Sequence, residues 1–300
     1  MGSKRKLAKP IVDYILLHNP NCKYIYDLFG GGGAISFECL QRKQIQQVTY
    51  NELNTGVVEL LKKIKTDGVT DEFYQWVDRE TFFKNKDGDD WFSGLCKTIW
   101  SFGNRGDSYL FGKHIEELKR QVHELVVNGI PFNVGEFKID SLEGSTINDR
   151  RLHFKQIIRS NKTRFDLQQL ESLERLQQLE RLQQLQRLEI LNQSAFDVNI
   201  KTPIDETIIY LDPPYQLTAS YQKSICYDEL NNYIKNSKYK IYLSSYESDF
   251  PLVYEMRHRS TLSATVNDLV IEKLFCNQPS NAEIQSYENK DQNDLTSLFY

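Results

Sequence analysis

Residues 24–36 read Tyr24-Ile25-Tyr26-Asp27-Leu28-Phe29-Gly30-Gly31-Gly32-Gly33-Ala34-Ile35-Ser36. The alternating apolar start predicts a β-strand, and the pattern after the glycines predicts a helix. Four glycines between them indicate a tight turn against which a ligand can lie. Taken alone, the unit is also typical of dinucleotide-binding proteins, although Ser36 stands where their third glycine is expected.

A second predicted strand, Gln47–Tyr50, ends at Asn51-Glu52-Leu53-Asn54. A carboxylate at the tip of the second strand of such a unit is placed to accept hydrogen bonds from ribose hydroxyls. Glu52 is therefore the predicted ribose-binding acid.

A third predicted strand, Thr207–Leu211, runs directly into Asp212-Pro213-Pro214-Tyr215. Two prolines cannot extend a strand ladder, so they predict a rigid turn at the strand end. In an open α/β sheet, ligands bind at the carboxyl ends of strands. One carboxylate and one aromatic ring held there form a pocket suited to a planar amine.

These motifs, in this order, resemble those of the Dam-type (D12 class) DNA adenine-N6 methyltransferases over most of the chain. The resemblance extends to the N-terminus, where Lys4 takes the place of a family lysine that lies over the methionine end of the cofactor. The family's aromatic residue before that lysine has no counterpart here. A family corner that contacts the cofactor's adenine aligns with Ser194 and Ala195, which depart from the usual acid and aromatic.

The resemblance implies an α/β fold with a Rossmann-like seven-stranded methyltransferase sheet and an inserted, mainly helical target-recognition domain. The expected catalytic domain comprises residues 1–54 and 166–300, and the inserted domain residues 55–165. The implied reaction transfers a methyl group from S-adenosylmethionine to N6 of an adenine flipped out of duplex DNA. The implied catalytic residues are Asp212, Pro213, Pro214 and Tyr215. The implied cofactor-binding residues are Lys4, Asp27, Phe29, Gly31, Gly33, Glu52, Asn54, Ser194, Ala195 and Asp212.

The composition predicts a soluble cytoplasmic enzyme that needs no metal, with a monomer favoured. No long apolar run indicates a membrane span, and five cysteines without C-x-x-C spacing argue against both a disulfide framework and structural zinc. The sequence shows no nuclease signature, which favours a stand-alone methylase over a fused restriction enzyme.

The net charge of −4 is unusual for a DNA-binding protein, so the local distribution of charge matters more than the total. Between residues 148 and 165, six basic residues accompany a single acid. This basic run predicts a phosphate-binding face, although charge runs are also common on solvated helices. The residues expected to bind DNA phosphates are Arg150, Arg151, Lys155 and Arg159.

Two turns in the inserted region are candidates for base recognition. The turn from Trp100 to Asp107, which includes Arg105, carries aromatic, amide and arginine groups. The segment around Asn133 resembles a family turn that precedes a DNA-contacting hairpin, with Gly135 replacing its proline. Residues 55–83 are predicted to be helical.

Leucine occupies every third position from Leu167 to Leu191. Each such step falls about 60° short of a full helical turn, so these leucines cannot form a coiled-coil stripe. We expect a structural connector packed against the catalytic sheet, ending in a strand at residues 188–191. A helix, two further strands and a polar loop after Arg257-His258-Arg259 are predicted beyond residue 226.

Two other functions remain open on the sequence alone. An RNA or protein amino-methyltransferase would use the same pocket, and a non-catalytic DNA-binding protein would retain the fold without the chemistry. The long insertion favours duplex DNA over the first, and the intact Asp212–Tyr215 motif argues against the second.

Overall fold

The computed structural model describes residues 4–102, 106–135, 137–160, 171–180, 185–214, 225–259 and 269–296. The strands are β1 Tyr24–Asp27, β2 Gln47–Asn51, β3 Ser101–Phe102, β4 Ser108–Tyr109, β5 Phe132–Val134, β6 Phe137–Ile139, β7 Leu188–Leu191, β8 Thr207–Leu211, β9 Lys240–Ser245, β10 Leu252–Arg259 and β11 Leu269–Cys276. The helices are α1 Arg5–His18, α2 Ala34–Leu40, α3 Thr55–Asp67, α4 Arg79–Asn85, α5 Trp91–Ile99, α6 Glu116–Asn128, α7 Ile147–Ser160, α8 Glu171–Glu180, α9 Tyr227–Asn236 and α10 Asn281–Thr296.

The chain divides by its internal contacts into two units. The first, the sheet unit, comprises Met1–Val58 and Gln184–Tyr300, and the second, the helical unit, comprises Glu59–Gln183. These boundaries place the segment from 166 to 183 in the helical unit, whereas the sequence assigned it to the catalytic domain.

The sheet unit is built on one sheet which, in the described part of the chain, has seven strands in the order β10-β11-β9-β8-β1-β2-β7. Neighbouring strands from β9 to β7 are parallel, and β11 runs antiparallel to both of its neighbours. This arrangement confirms the predicted Rossmann-like methyltransferase sheet.

The central strands carry continuous apolar runs because both of their faces are buried. All five residues of β8 are buried, as parallel strands covered on both faces require. On one face, Ile209 and Ile241 pack in a cluster with Leu230 and Ile234 of α9, whose apolar residues recur at helical spacing.

The helical unit contains α4 to α8 and two short hairpins, β3–β4 and β5–β6. Its interior holds an aromatic cluster in which Trp76 stacks on Phe111 at 5.6 Å between ring centroids. Trp100 and His123 pack against Trp76 in the same cluster. Burial lowers the pKa of His123 to about 4, so this histidine is a neutral core residue.

Several predictions about secondary structure need correction. The helix predicted over residues 55–83 ends at Asp67, where Gly68 adopts a φ of 76°, and a second helix begins at Arg79. Arg257, His258 and Arg259 end a strand that was not predicted, β10, which pairs with β11, and the polar loop predicted after them lies outside the described residues. The C-terminal helix α10 carried no recognised signal in the sequence.

The leucine-rich segment also differs from expectation. Residues 171–180 of it form α8, whose Arg175 donates hydrogen bonds to the carbonyl oxygens of Thr98, Ile99 and Ser101 in the helical unit. α8 belongs to the helical unit, whereas the segment was expected to pack against the catalytic sheet. The predicted strand at residues 188–191 is present as β7, at the sheet edge.

Candidate active site

The candidate site lies where the chain leaves β1 and β8. These strands are parallel neighbours, with Asp27 opposite Tyr210, so the glycine loop and the Asp212 turn begin side by side. From β1 the sheet continues towards β2 on one side and towards β8 on the other. Such a reversal of strand order is where open α/β sheets bind ligands.

The glycine loop is shaped by its contact with Tyr50. A Cβ atom on Gly30 would lie 2.1 Å from the Tyr50 ring, so no side chain fits there. The Tyr50 hydroxyl donates a 2.6 Å hydrogen bond to the Gly31 carbonyl oxygen. Gly31 itself adopts a φ of 48°, and a Cβ there would meet only the Phe29 carbonyl oxygen, at 3.9 Å. The loop is thus tightly packed beneath Gly30 and open at Gly31.

Gly33 starts the helix that follows the loop. Its amide donates to the Gly30 carbonyl oxygen at 2.7 Å, and its own carbonyl accepts the first bond of α2 from Phe37.

Glu52 links the end of β2 to this loop. One carboxylate oxygen accepts the amide of Gly31 at 2.8 Å, and the other accepts the amide of Asn54 at 2.9 Å. The predicted ribose-binding acid is therefore held beside the glycine loop. The Asn54 side chain accepts from the Val57 amide at the start of α3, which makes it a helix cap.

Asp27 is buried at the end of β1 and accepts a 2.7 Å hydrogen bond from the Ser36 hydroxyl. Burial raises the pKa of Asp27 to about 7, and the charges of Asp212 and Glu52 add to the rise. The hydrogen bond from Ser36 acts in the opposite direction. Position 36, where a dinucleotide site would place glycine, thus carries the partner of a buried acid.

Asn51 was not singled out from the sequence, yet it fixes the corner predicted to meet the cofactor's adenine. Its buried amide donates to the carbonyl oxygens of Leu28 and Gln193 and accepts the Gln193 amide. Ser194 then caps a short turn by accepting from the Phe196 amide, and Ala195 is buried.

Phe196 lies on the same corner and faces the end of β1. Its ring packs edge-to-face on Phe29 at 6.4 Å between centroids. Of the two aromatic residues, only Phe29 was included in the predicted site.

The Asp212 turn is anchored from α9. Asp212 is half-buried, Pro213 is buried, and the Tyr227 hydroxyl donates a 2.6 Å hydrogen bond to the Pro214 carbonyl oxygen. Tyr215, predicted to stack on the target base, lies outside the described residues.

Lys4 reaches this turn from the start of α1. Its ammonium nitrogen lies 3.4 Å from Asp212 Oδ1, donates to Ser244 Oγ at 2.6 Å and forms an ion pair with Glu272. Ser244 and Glu272 were missed by sequence reasoning. The available signal was the acid within the apolar run Leu269–Cys276, because a buried carboxylate needs a partner.

The basic run of α7 is largely engaged within the helical unit. Arg150 donates to the carbonyl oxygens of Val126 and Val127 at the end of α6. Arg151 is buried and donates to Glu174, Asn148 and Gln177, and Lys155 forms an ion pair with Glu174. Arg159 is exposed.

The two predicted base-recognition turns differ in their exposure. Trp100 is fully buried, so it belongs to the core and cannot meet a base, and Arg105 lies outside the described residues. Asn133 is exposed on β5, opposite Lys138 of β6. The segment expected to precede a hairpin is thus the first strand of that hairpin.

Within the described ranges, no group of histidine, cysteine, aspartate or glutamate side chains is placed to hold a metal ion. None of the helices in those ranges is long and apolar enough to cross a membrane.

The sheet and its site define a Rossmann-like methyltransferase. The sequence model of the D12 class N6 adenine-specific DNA methyltransferase family matches residues 1–270. The chain belongs to this family, which is one of adenine-specific DNA methyltransferases, and the resemblance inferred from the motifs is confirmed.

A search of curated protein sequences returned no match. Among solved structures, the chain is similar to HI0767 of Haemophilus influenzae, provisionally described as a methylase, with 13% identity over 91% of this chain and 89% of that one, at a TM-score of 0.30. It is also similar to yhhF of Escherichia coli, provisionally described as a methyltransferase, with 11% identity over 91% and 88% of the two chains, at a TM-score of 0.31. At these scores neither structure carries an argument about site or substrate.

Proposed function

We propose that the protein transfers a methyl group from S-adenosylmethionine to the N6 amino group of an adenine flipped out of duplex DNA. The observation that carries this proposal is the Asp212-Pro213-Pro214 turn, which follows β8 beside the glycine loop of β1. A rigid turn with one carboxylate at that edge suits an amino group brought up to a cofactor on the loop.

The residues around the glycine loop fit this cofactor, whose use the family implies. The open space at Gly31 leaves room for a ligand against the backbone. Glu52 places a carboxylate directly after β2, beside the glycine loop, where ribose hydroxyls can donate hydrogen bonds to it. The corner of Ser194, Ala195 and Phe196 offers an aromatic surface to the adenine. Bound S-adenosylmethionine supplies an electrophilic methyl group on a positively charged sulfur.

Asp212 acts on the target amine by hydrogen bonding. The N6 lone pair of adenine is delocalised into the ring, which makes the nitrogen a poor nucleophile. Hydrogen bonds from N6 to the Asp212 carboxylate and the Pro213 carbonyl oxygen localise that pair on nitrogen. No base is required beforehand, because the N6 proton becomes acidic once nitrogen carries the methyl group. Tyr215 is proposed to stack on the flipped base.

Residues 55–165 are proposed to recognise DNA. Among the basic residues on α7, Arg159 is best placed to contact phosphate, since it is exposed. The β5–β6 hairpin presents exposed Asn133 opposite Lys138, and both side-chain types bind base edges in the major groove. Arg105 is retained as a candidate contact. Arg150, Arg151 and Lys155 are assigned to the fold of the helical unit.

Transfer of labelled methyl groups tests the proposal. The protein is incubated with labelled S-adenosylmethionine and, in parallel, duplex DNA, RNA and a protein mixture, followed by sequencing of the DNA for N6-methyladenine. We expect label in DNA alone, at adenine in one sequence context, and none with Asp212→Ala. Label in RNA or protein instead would reassign the substrate, and DNA binding without transfer would mean that only the fold is retained.

A further inference from the structure

Glu272 is a buried carboxylate beside the proposed catalytic turn. It lies on β11, two strands away from β8, and only 4% of its surface is exposed. A buried carboxylate is costly unless it is paired, and Glu272 is paired here. Ser244 Oγ donates to it at 2.7 Å, and the Lys4 ammonium forms an ion pair with it.

The same ammonium group faces Asp212, but at a different distance. Lys4 Nζ is 2.6 Å from Ser244 Oγ and 3.4 Å from Asp212 Oδ1. Charge-assisted hydrogen bonds measure about 2.7–2.9 Å, so the Lys4–Asp212 contact is longer than such a bond. Lys4 thus forms its closer contacts with Ser244 and Glu272 and a longer ion pair with Asp212.

This asymmetry matters for a carboxylate that has to accept a hydrogen bond from a substrate. An oxygen that already binds an ammonium ion is a weaker acceptor for a neutral amine, because the cation withdraws electron density from it. With Glu272 neutralised, the Asp212 carboxylate still lies 3.4 Å from the Lys4 ammonium, and attraction between unlike charges at short range would draw Lys4 onto it.

We propose that Glu272, together with Ser244, is a positioning residue that holds the Lys4 ammonium away from Asp212 and so preserves Asp212 as the acceptor for the substrate amino group. This inference rests on the proposed function only in requiring an amino-group acceptor at Asp212.

The sheet unit contains a matched control, a second buried glutamate whose lysine partner lies on β9, the strand that also carries Ser244. Glu283 of α10 is fully buried, forms an ion pair with Lys240 at 2.5 Å and accepts from the Tyr242 hydroxyl. Lys240 and Ser244 stand at opposite ends of β9, separated by roughly 13 Å of extended chain. Glu283→Gln therefore removes an equally buried ion pair far from the proposed site.

The turnover number at saturating cofactor and DNA distinguishes positioning from a general structural role. We expect Glu272→Gln to lower kcat by roughly 10- to 100-fold, the range spanned by loss of one charge-assisted hydrogen bond. Glu283→Gln should lower the melting temperature at least as much as Glu272→Gln and leave kcat within about twofold of wild type.

The decisive variant is Glu272→Gln combined with Lys4→Met. Without an ammonium group to occupy Asp212, the double variant should turn over at least about fivefold faster than Glu272→Gln alone. A double variant as slow as the single one, or a single variant with wild-type kcat, would overturn the proposal.

A crystal structure of Glu272→Gln gives a readout that needs no activity. We expect Lys4 Nζ to move to about 2.8 Å from an Asp212 oxygen. An ammonium that keeps its wild-type distance would also overturn the proposal. If wild-type protein methylates RNA or protein in place of DNA, the proposed function fails, while the same kcat comparison on that substrate still tests Glu272.

Discussion

The two units use charged side chains in opposite ways. In the sheet unit, Glu52 and Asp212 stand directly after strand ends, at the edge where open α/β sheets bind ligands. In the helical unit, Arg150 and Arg175 donate into the protein, to carbonyl oxygens at or just past the ends of α6 and α5. The basic residues of α7 look like a nucleic-acid face in the sequence, whereas the contacts of Arg150, Arg151 and Lys155 assign these three to folding.

The chemistry of helix ends explains the difference. The last carbonyl groups of a helix have no partner within it, and the arginine fork supplies several donors at fixed angles. An arginine that satisfies these carbonyls stabilises the unit and is not available to a phosphate. We therefore expect substitution of the acids in the sheet unit to change ligand binding or turnover, and substitution of the internal arginines to lower the free energy of unfolding.

The largest effect is expected at Asp212. Asp212→Ala should lower the turnover number by roughly 100- to 1000-fold, as loss of a group that stabilises developing charge does. Cofactor and DNA binding should survive at least in part. Asp205→Ala, which removes an exposed acid before β8, is the control. Retention of more than about a tenth of wild-type turnover would contradict the role of Asp212.

Asp27→Asn should stabilise the ligand-free protein at neutral pH, on the order of 2–4 kcal/mol. The native state keeps the Asp27 proton up to about pH 7, while an unfolded aspartate releases it near pH 4. Protonated Asp27 therefore contributes its full stabilisation below about pH 4, and this contribution is lost as the pH rises through 7. Chemical denaturation at several pH values should show that the difference in free energy of unfolding between variant and wild type widens from about pH 4 to pH 7. A constant gap would mean that Asp27 titrates normally.

Glu52→Ala should weaken S-adenosylmethionine binding by about 10- to 100-fold, because charge-assisted hydrogen bonds contribute roughly 1.5–3 kcal/mol. Calorimetry measures the dissociation constant, and Glu189→Ala, at an exposed acid on the edge strand β7, serves as control. An unchanged constant, or tight NAD binding by the wild type, would mean that the first βα unit has been misinterpreted.

Arg151→Ala should destabilise the protein by about 1–3 kcal/mol, because it removes a buried side chain together with its hydrogen bonds to Glu174, Asn148 and Gln177. The salt dependence of DNA affinity should stay as in the wild type. Chemical denaturation and a salt titration on the same preparation measure both. A stable variant with a shallower salt slope would return Arg151 to the DNA-binding surface.

The smallest effect is expected at Arg159. Arg159→Ala should leave stability unchanged and lower the slope of log affinity against log salt by about one unit, equally for cognate and scrambled duplexes. A wild-type slope would show that this residue is only solvated and that the phosphate contacts lie on another surface.

Much of the sheet unit could be predicted because short stretches of its sequence fix the backbone conformation where strands end. A strand followed by glycines must turn tightly, and a strand followed by Asp212-Pro213-Pro214 must stop. The order of these motifs also indicated the family that the sequence comparison establishes. The C-terminal helix α10 and the strand β10 were missed because their positions depend on packing and strand pairing, with weak local patterns.

The helical unit was predicted less well, since its decisive contacts join residues distant in sequence. Arg151 and Glu174, or Arg175 and Thr98, form pairs that no spacing rule indicates. Trp100 was likewise predicted to belong to a base-recognition turn, but it packs on Trp76 and Phe111, which are distant in sequence, and is part of the core.

The sequence by itself determined the methyltransferase class, the glycine loop, the acid after β2 and the Asp212 turn, because each follows from short-range backbone constraints. Only the tertiary structure decided which charged side chains are paired within the fold and which stand at the ends of the sheet strands. It alone brought Lys4, Ser244 and Glu272 together beside Asp212, from four separate segments of the chain. The partner of a charge is set by where the strands and helices meet, which local patterns do not encode.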